Sequence, residues 1–392
     1  MKKIFHISGT TIPGGGPEHI FQLLKRLNEN EWEIVICTSK DGLYWEKFNS
    51  LGIKTYNLAF RILSIKTACK LFLILRKERP DLIHTHGKGP GLYGRIISCF
   101  LKIPTIHTFH GFHYKDLPVF TRWFHLAVEA FLCLLTDQHI FVSTGENNRA
   151  RVLKFLDEEN STVIHNGVDH EYIRSLPITR NTALKLSESE NWEPNKILGT
   201  ISRLSPEKGI LDLLAAFSKA IKEIPDLRLI IIGGHSEEHK DYYLKIKRLI
   251  DKENLTDYIR ILGYRHDAVK ILKCLDFYIS SSLSEGLPIS MLEALALEIP
   301  AIATEITGNK DILCNSTFGI LTEPGSPESL YKGIVKMVQL TQDERDFLSR
   351  NGYNRIKNHF SINETVIRII LLYKQVLKKN ADKRSCFKNP LL

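Results

Sequence analysis

Four charged residues in the second half of the chain have the types and spacing of a site for an anion that also carries hydroxyls. Arg203 and Lys208 lie in S-R-L-S-P-E-K-G, directly after the apolar run Ile197–Ile201. Glu285 and Glu293 lie in E-G-L-P-I-S-M-L-E, after a second apolar run that ends near Ile279. A guanidinium clasps phosphate oxygens through two parallel N–H donors, and an ammonium adds a point charge. Carboxylates accept hydrogen bonds from sugar hydroxyls, but beside a phosphate they repel unless cations intervene. Eight helical residues turn about 80° beyond two full turns, so the two glutamates cannot be partners within one helix. Glu285 is expected in the loop, and Glu293 in the second turn of a helix that Pro288 opens. Proline is favoured at the first helical position, and the free amides there, with the helix dipole, favour an anion.

The first half offers a glycine loop and a histidine. Residues 3–8 read as a strand, Gly14-Gly15-Gly16 follow, and Ile20, Leu23, Leu24 and Leu27 keep helical spacing. Strand, glycines and helix make a phosphate cradle, because glycine lets backbone amides approach the ligand; the plain alternative is a tight turn. The spacing is not G-x-G-x-x-G, and the next strand ends in Cys37-Thr38-Ser39 with no acidic residue for a ribose, so NAD is disfavoured. In P-T-I-H-T-F-H-G-F-H-Y, His107, His110 and His113, with His84 and His86 nearby, raise the question of a metal site. Strand alternation sends His107 and His110 to opposite faces, and no carboxylate or cysteine completes a ligand set. His110, at a strand end before Gly111, sits where open α/β sheets bind ligands, whereas His107 and His84 read as structural. Residues 112–123 are aromatic and basic, which suits either contact with an acceptor or membrane surface, or packing over the next helix.

Positioning these groups requires a particular architecture. Strand, loop and helix alternate in both halves, which predicts two parallel sheets, each covered on both faces. Length allows two domains. The polar stretch 177–196, with Pro177 and Pro194, reads as the linker, so the expected domains are 1–180 and 181–360. Gly87–Gly91 reads as a second glycine turn before a helix at Leu92–Leu101, and Thr307–Asn309 as a polar turn. Ser361 is expected to cap a last helix through Leu377, with a basic tail beyond. Ligand loops would lie at strand C-terminal ends, in a cleft between the domains.

The composition is that of a globular protein, 43% hydrophobic and 25% charged. Seven cysteines without a C-x-x-C pair suggest reduced thiols in the cytoplasm. Met1-Lys2-Lys3 runs straight into a strand, so no leader is expected, and no stretch approaches the roughly 20 apolar residues that span a bilayer. The net charge of +9 divides as +6 for residues 1–180 and +5 for 374–392, leaving −2 between them. No nucleic-acid motif accompanies this excess, so an anionic membrane or lipid-phosphate acceptor fits it better, with simple solubility as the alternative. Nothing in the chain indicates an oligomeric state.

From near residue 4 to about 377 the chain resembles the family 4 glycosyltransferases, which have the GT-B fold. The resemblance rests on Gly14-Gly15-Gly16, His110-Gly111, Asn166-Gly167-Val168-Asp169, S-R-L-S-P-E-K-G and E-G-L-P-I-S-M-L-E, the last two being the most specific. It implies two Rossmann-like domains facing a cleft, with a C-terminal helix (361–392) crossing back to the first. It also implies transfer of a sugar from a nucleotide donor with retention and no metal or other cofactor. By motif, Arg203 and Lys208 would hold the diphosphate, Glu293 the ribose and Glu285 the sugar hydroxyls. Gly286 and Leu287 would offer backbone amides, Gly15 and Gly16 would approach a phosphate, and His110 the sugar near its reacting carbon. Tyr264 and Arg265 would lie by the base. Gly233-Gly234-His235 departs from the acidic residue usual after that strand. A sugar-nucleotide 2-epimerase of the same architecture and an inactive binding protein are the rival readings; the intact Arg203, Lys208 and Glu293 speak against the latter.

Overall fold

The computed structural model describes residues 1–28, 32–60, 63–111, 118–153 and 158–388, which fall into two compact units. The first comprises Met1–Asn166 and the C-terminal segment from Ile362, the second Gly167–Ser361.

In the first unit the order is β1 (Lys2–Ile7), α1 (Gly15–Asn28), β2 (Trp32–Thr38), α2 (Tyr44–Ser50), β3 (Lys54–Asn57), α3 (Ile65–Glu78) and β4 (Leu82–His86). It continues with α4 (Lys88–Leu101), β5 (Thr105–Phe109), α5 (Val119–Leu134), β6 (Gln138–Phe141), α6 (Thr144–Val152) and β7 (Ser161–Val163). In the second come α7 (His170–Ser175), α8 (Arg180–Leu186), β8 (Lys196–Ile201), α9 (Ile210–Glu223), β9 (Leu227–Ile232), α10 (Lys240–Lys252), β10 (Ile259–Ile261) and α11 (Ala268–Leu272). Then follow β11 (Phe277–Ser280), α12 (Ile289–Ala296), β12 (Ala301–Thr304), α13 (Thr307–Leu313), β13 (Ile320–Thr322), α14 (Pro327–Gln339) and α15 (Gln342–His359). Helix α16 (Ile362–Lys388) returns to the first unit.

Both sheets are parallel throughout, in the orders β3-β2-β1-β4-β5-β6-β7 and β10-β9-β8-β11-β12-β13. The strand order therefore reverses between β1 and β4 in one unit and between β8 and β11 in the other. Such reversals splay the loops that leave the strands and open a crevice at their C-terminal ends. Inner strands such as β1 and β9 are buried on both faces, which is why they read as continuous apolar runs rather than alternating ones. In α16, Ile362, Val366, Ile369, Tyr373 and Val376 repeat at helical spacing and join one core with Ile4, Ile20 and Leu23. The last helix thus belongs to the first unit, as the resemblance implied.

Several boundaries differ from the sequence reading. The units divide at Asn166/Gly167 and not near 180, because the supposed linker is folded. Helix α8 starts on a Thr179 cap, and Arg180 binds both carboxylate oxygens of Asp276 at 3.2 and 3.1 Å. Gly87–Gly91 is no separate turn, since α4 already begins at Lys88. Gly87 is the N-cap of α4 with φ of +77°, and the other two glycines are required by close packing: a Cβ at Gly89 would meet the Phe60 carbonyl oxygen at 2.5 Å, and one at Gly91 the His107 ring at 2.5 Å. Thr307–Asn309 is the first turn of α13, and α16 runs on to Lys388 where a loose tail was expected. Among the described residues no helix is long and apolar enough to cross a membrane. Cys37, Cys69, Cys99, Cys133, Cys274 and Cys314 are free thiols.

Candidate active site

In the second unit the loop after β8 and the loop after β11 are bound to each other at the switch point. The Ser281 hydroxyl donates to the Lys208 carbonyl at 2.8 Å, and the Leu283 amide donates to the Glu207 carbonyl at 2.8 Å. Gly209 makes the approach possible: its φ is +61°, and a Cβ there would lie 2.2 Å from the Ser281 carbonyl oxygen. The stitching places the Lys208 ammonium on the Glu285 carboxylate in a largely enclosed ion pair, the two side chains only 14% and 17% exposed. Ser282 donates to the same carboxylate oxygen at 2.9 Å. Arg203 is different, 62% exposed and tied to Glu207 at 3.2 Å, so its guanidinium is largely free to turn to a ligand. Burial would push the Glu207 carboxyl up, but the Ser205 hydroxyl, the residue's own amide, and the Arg203 and Lys208 charges together hold it below the usual range.

Glu285 is in the loop and Glu293 in the second turn of α12, as the spacing predicts. Pro288 is the N-cap of α12 rather than its first residue, with ψ of 112°, so the first helical amide is that of Ile289. Burial, and after it the charges of Glu285 and Glu293 among other effects, pushes the Tyr278 phenol up, which puts both carboxylates within electrostatic reach of that ring. Behind Gly286, helix α13 comes so close that a Cβ on Gly308 would meet the Gly286 carbonyl oxygen at 2.3 Å, and Thr307 donates to the Glu285 carbonyl at 3.3 Å. Leu287 is buried beside it.

The loop after β9 excludes a side chain at one position of Gly233-Gly234-His235, the first, whereas a Cβ on Gly234 would make only ordinary contacts with Tyr264 at 3.6 and 3.7 Å. Gly233 has φ of +150°, and a Cβ there would sit 1.8 Å from the Ser202 carbonyl oxygen, so no side chain fits where it touches the Arg203 loop. Its amide donates to the Gly263 carbonyl at 2.8 Å, which brings the turn carrying Tyr264 and Arg265 alongside. Tyr264 is exposed. The Arg265 guanidinium is held in a bidentate pair with Asp267, both bonds 2.8 Å, so its charge is already matched within the turn.

In the first unit Gly15 and Gly16 form the start of α1, and a Cβ on Gly14 or Gly16 would meet nothing within 4 Å. Packing does not demand glycine at either place; the backbone is simply left open. His110 follows β5 and bonds through Nε2 to His86 Nδ1 at 3.2 Å, while His86 Nε2 bonds to His6 Nδ1 at 3.1 Å. His107 points to the opposite face and bonds to Thr85 at 2.8 Å, the alternation expected of the strand. Burial holds His110 down to about 4 and His6 to about 3, so both are neutral imidazoles. His19, on α1, lies edge-on to His110 with ring centres 5.4 Å apart, and its buried Nδ1 has no partner among the described residues. One ring nitrogen from each of His6, His84 and His86 lies within 4.8 Å of the other two. His113 and the first half of the aromatic stretch 112–123 lie outside the described residues.

The sequence matches the family described as Glycosyltransferase Family 4 over residues 13–172 and that described as Glycosyl transferases group 1 over 184–355. It is 30% identical over 321 residues to the Escherichia coli UDP-Gal:alpha-D-GlcNAc-diphosphoundecaprenol alpha-1,3-galactosyltransferase, an alignment covering 80% of each chain. The chain belongs to the family 4 glycosyltransferases. The glycosyltransferase is also 22% identical over 329 residues to the Staphylococcus aureus capsular polysaccharide biosynthesis glycosyltransferase CapM, covering 81% of this chain and 83% of that one. Its fold is that of GT-B enzymes: the Anabaena protein HepE, solved in complex with UDP and glucose, superposes with a TM-score of 0.82 at 18% identity, over 95% of this chain and 100% of that one.

Sequence reasoning missed the groups that hold this transferase's site residues in place. Ser282 beside Glu285, Glu207 beside Arg203 and Asp267 beside Arg265 look like ordinary polar loop residues until the chain is folded. The histidines on His110 did leave a signal. His84-Thr85-His86 and Thr108-Phe109-His110 each keep period two, which aims each pair at one face of neighbouring strands.

Proposed function

We propose that this glycosyltransferase moves a sugar from a nucleotide diphosphate donor, a UDP-sugar in preference to a GDP-sugar, to a saccharide or lipid-linked acceptor of surface polysaccharide or lipopolysaccharide. Configuration at the sugar is retained, and no metal or other cofactor takes part. The observation that carries the reading is the enclosed Lys208–Glu285 pair at the β8/β11 switch point, with the exposed charge of Arg203 on the same β8 loop. Supporting it, the name of the E. coli relative gives UDP-Gal as donor, a diphosphoundecaprenol-linked sugar as acceptor and an α linkage as product. In this reading Arg203 and Lys208 meet the negative charge that grows on the departing diphosphate, the role of preorganised cations in such reactions. Glu285 accepts from sugar hydroxyls and Glu293 from the ribose, while Gly286 and Leu287 present backbone amides. Tyr264 stacks on the base, with Arg265 holding the turn through Asp267. In the first unit Gly15 and Gly16, at the start of α1, take a phosphate, and His110 takes the sugar.

The test is incubation of the purified enzyme with UDP-, GDP- and ADP-sugars, with and without lipid-diphosphate-linked saccharides. Acceptor-dependent release of UDP and an α product from an α donor are expected. Interconversion of donors without acceptor would instead mark an epimerase, and binding without turnover a binding protein.

The acceptor side is proposed to meet an anionic membrane at its inner face. Helices α3, α4 and α5 follow β3, β4 and β5, and right-handed crossovers put them on one face of the sheet. On α5, Phe120 (88% exposed), Trp123, Phe124, Phe131 and Leu134 form an exposed apolar stripe. On α3, Lys66, Lys70, Arg76 and Lys77 are exposed, and Glu78, the helix's one acid, is buried. Aromatic insertion with flanking cations is how an interfacial helix binds lipid. Co-sedimentation with anionic vesicles should be salt-sensitive and weakened by Phe120→Ser/Trp123→Ser; equal recovery with neutral vesicles counts against it.

A further inference from the structure

On the face of the first sheet that α16 covers, six side chains form one unbroken hydrogen-bonded chain. Register places them there, since His6 on β1 pairs with His84 on β4, and His86, Thr108 and His110 follow at period two. Thr108 Oγ1 lies 2.7 Å from His84 Nε2, and His84 Nδ1 lies 2.6 Å from the Tyr373 hydroxyl. That hydroxyl lies 3.4 Å from His6 Nε2; His6 Nδ1 to His86 Nε2 is 3.1 Å, and His86 Nδ1 to His110 Nε2 is 3.2 Å. His6, His84, His86, Thr108 and Tyr373 are all buried. His110 Nδ1, at the end of the series, has no hydrogen-bond partner among the described residues.

Proton counting sets the direction of this chain. A neutral imidazole has one N–H and one lone pair, so each ring passes on the polarity it receives. If Thr108 donates to His84 Nε2, then His84 Nδ1–H donates to Tyr373, whose hydroxyl donates to His6 Nε2. His6 Nδ1–H then donates to His86 Nε2, and His86 Nδ1–H to His110 Nε2. Every proton finds an acceptor. In the reverse direction the Thr108 hydroxyl proton, whose one partner atom among the described residues is His84 Nε2, is stranded in the core, which is costly. Burial keeps the four histidines neutral, as the counting requires, holding His6 to about 3 and His110 to about 4, and His84 and His86 well below the usual value. The grouping does not suit a metal. All six nitrogens of His6, His84 and His86 are engaged in the chain.

We infer that Tyr373 and Thr108 hold His110 in the tautomer protonated at Nδ1, so that it meets the donor sugar as a neutral hydrogen-bond donor. Tyr373 is a positioning residue, reaching the sugar only through His6, His86 and His110. The second half of the statement rests on the proposed contact of His110 with the donor; the tautomer does not.

The experiment is two-bond 1H–15N correlation of the full-length enzyme labelled in its histidines, with His110→Gln to assign the signal. Native His110 should show a protonated Nδ1 and an unprotonated Nε2. In Tyr373→Phe and Thr108→Val, each checked for native melting, that pattern should give way to a mixture or to the other tautomer. Turnover should fall about tenfold, the scale of one hydrogen bond, with KM little changed. A native His110 protonated at Nε2 overturns the inference without need of any variant, and so does an unchanged pattern in both folded variants. A changed tautomer with full turnover would uphold the relay and overturn the contact of His110 with the sugar.

Discussion

Removing the Lys208 ammonium tests the proposed chemistry most directly. Lys208 and Glu285 are paired, with 14% and 17% of their side chains exposed, so water screens them only in part. Two unit charges at ~4 Å in an effective dielectric of about 20 interact by about 4 kcal/mol. Glu285 uses part of that in the resting enzyme, but a departing diphosphate gains charge as its bond to the sugar breaks, so the ammonium's contribution is largest in the transition state. Lys208→Ala should therefore lower kcat by about 10²–10³, or about 3–4 kcal/mol. The variant also leaves the Glu285 carboxylate with the Ser282 hydroxyl at 2.9 Å and no cation, repelling the diphosphate. Changing Glu285 to glutamine as well should recover part of the loss, and the double-mutant cycle should show a coupling of about 1 kcal/mol or more. The assay is acceptor-dependent nucleotide release at saturating donor, on variants with native melting. A folded Lys208→Ala enzyme with kcat within a few fold of native, and additive effects in the cycle, would refute the reasoning.

The remaining predictions concern stability and loop geometry. Burial holds His6, His19 and His139 to about 3 and His110 to about 4, with His84, His86 and His107 also well below the usual value. Below about pH 6.5 the unfolded chain takes up these protons and the folded chain does not. Stability should then fall as pH drops from 6.5 to 5, by up to about 1.4 kcal/mol per pH unit for each group; an unchanged urea midpoint over that range contradicts this. Glu129 on α5 pairs with fully buried Arg95 on α4 at 2.6 Å, so Glu129→Ala should cost about 3–5 kcal/mol in urea unfolding, much of it recovered in Arg95→Met/Glu129→Leu. Gly209→Ala forces a Cβ toward the Ser281 carbonyl from a left-handed backbone, and should cost about 1–3 kcal/mol while lowering turnover with Lys208 intact. Native kinetics in that variant would mean that the two loops need not stay joined.

Much of the fold could be read from the chain because parallel strands buried on both faces leave long apolar runs, as in Leu227–Ile232, and buried helix faces repeat at helical spacing, as in α16. The failures were local and had one cause. Gly89 and Gly91 looked like turn residues, and 177–196 like a linker, because composition does not reveal what packs against a segment. Phe60, His107 and Asp276 decided those cases from distant positions in the chain.

For the candidate site the division is sharper. Residue type and order alone marked Arg203, Lys208, Glu285 and Glu293 as one ligand set, because phosphate and hydroxyl groups demand those charges after strand ends. They also marked His110 as distinct from His107, because a strand alternates. Only tertiary structure decided that Lys208 rests on Glu285 while Arg203 is exposed and bound to Glu207, that Arg265 is matched by Asp267, and that Gly233 itself has no room for a side chain. Only tertiary structure joined His110 to Tyr373 as well, 263 positions later in the chain. The physical reason is common to all of these. Charge and periodicity are properties of a segment, whereas pairing, desolvation and proton direction belong to neighbours that only the folded sheets bring together.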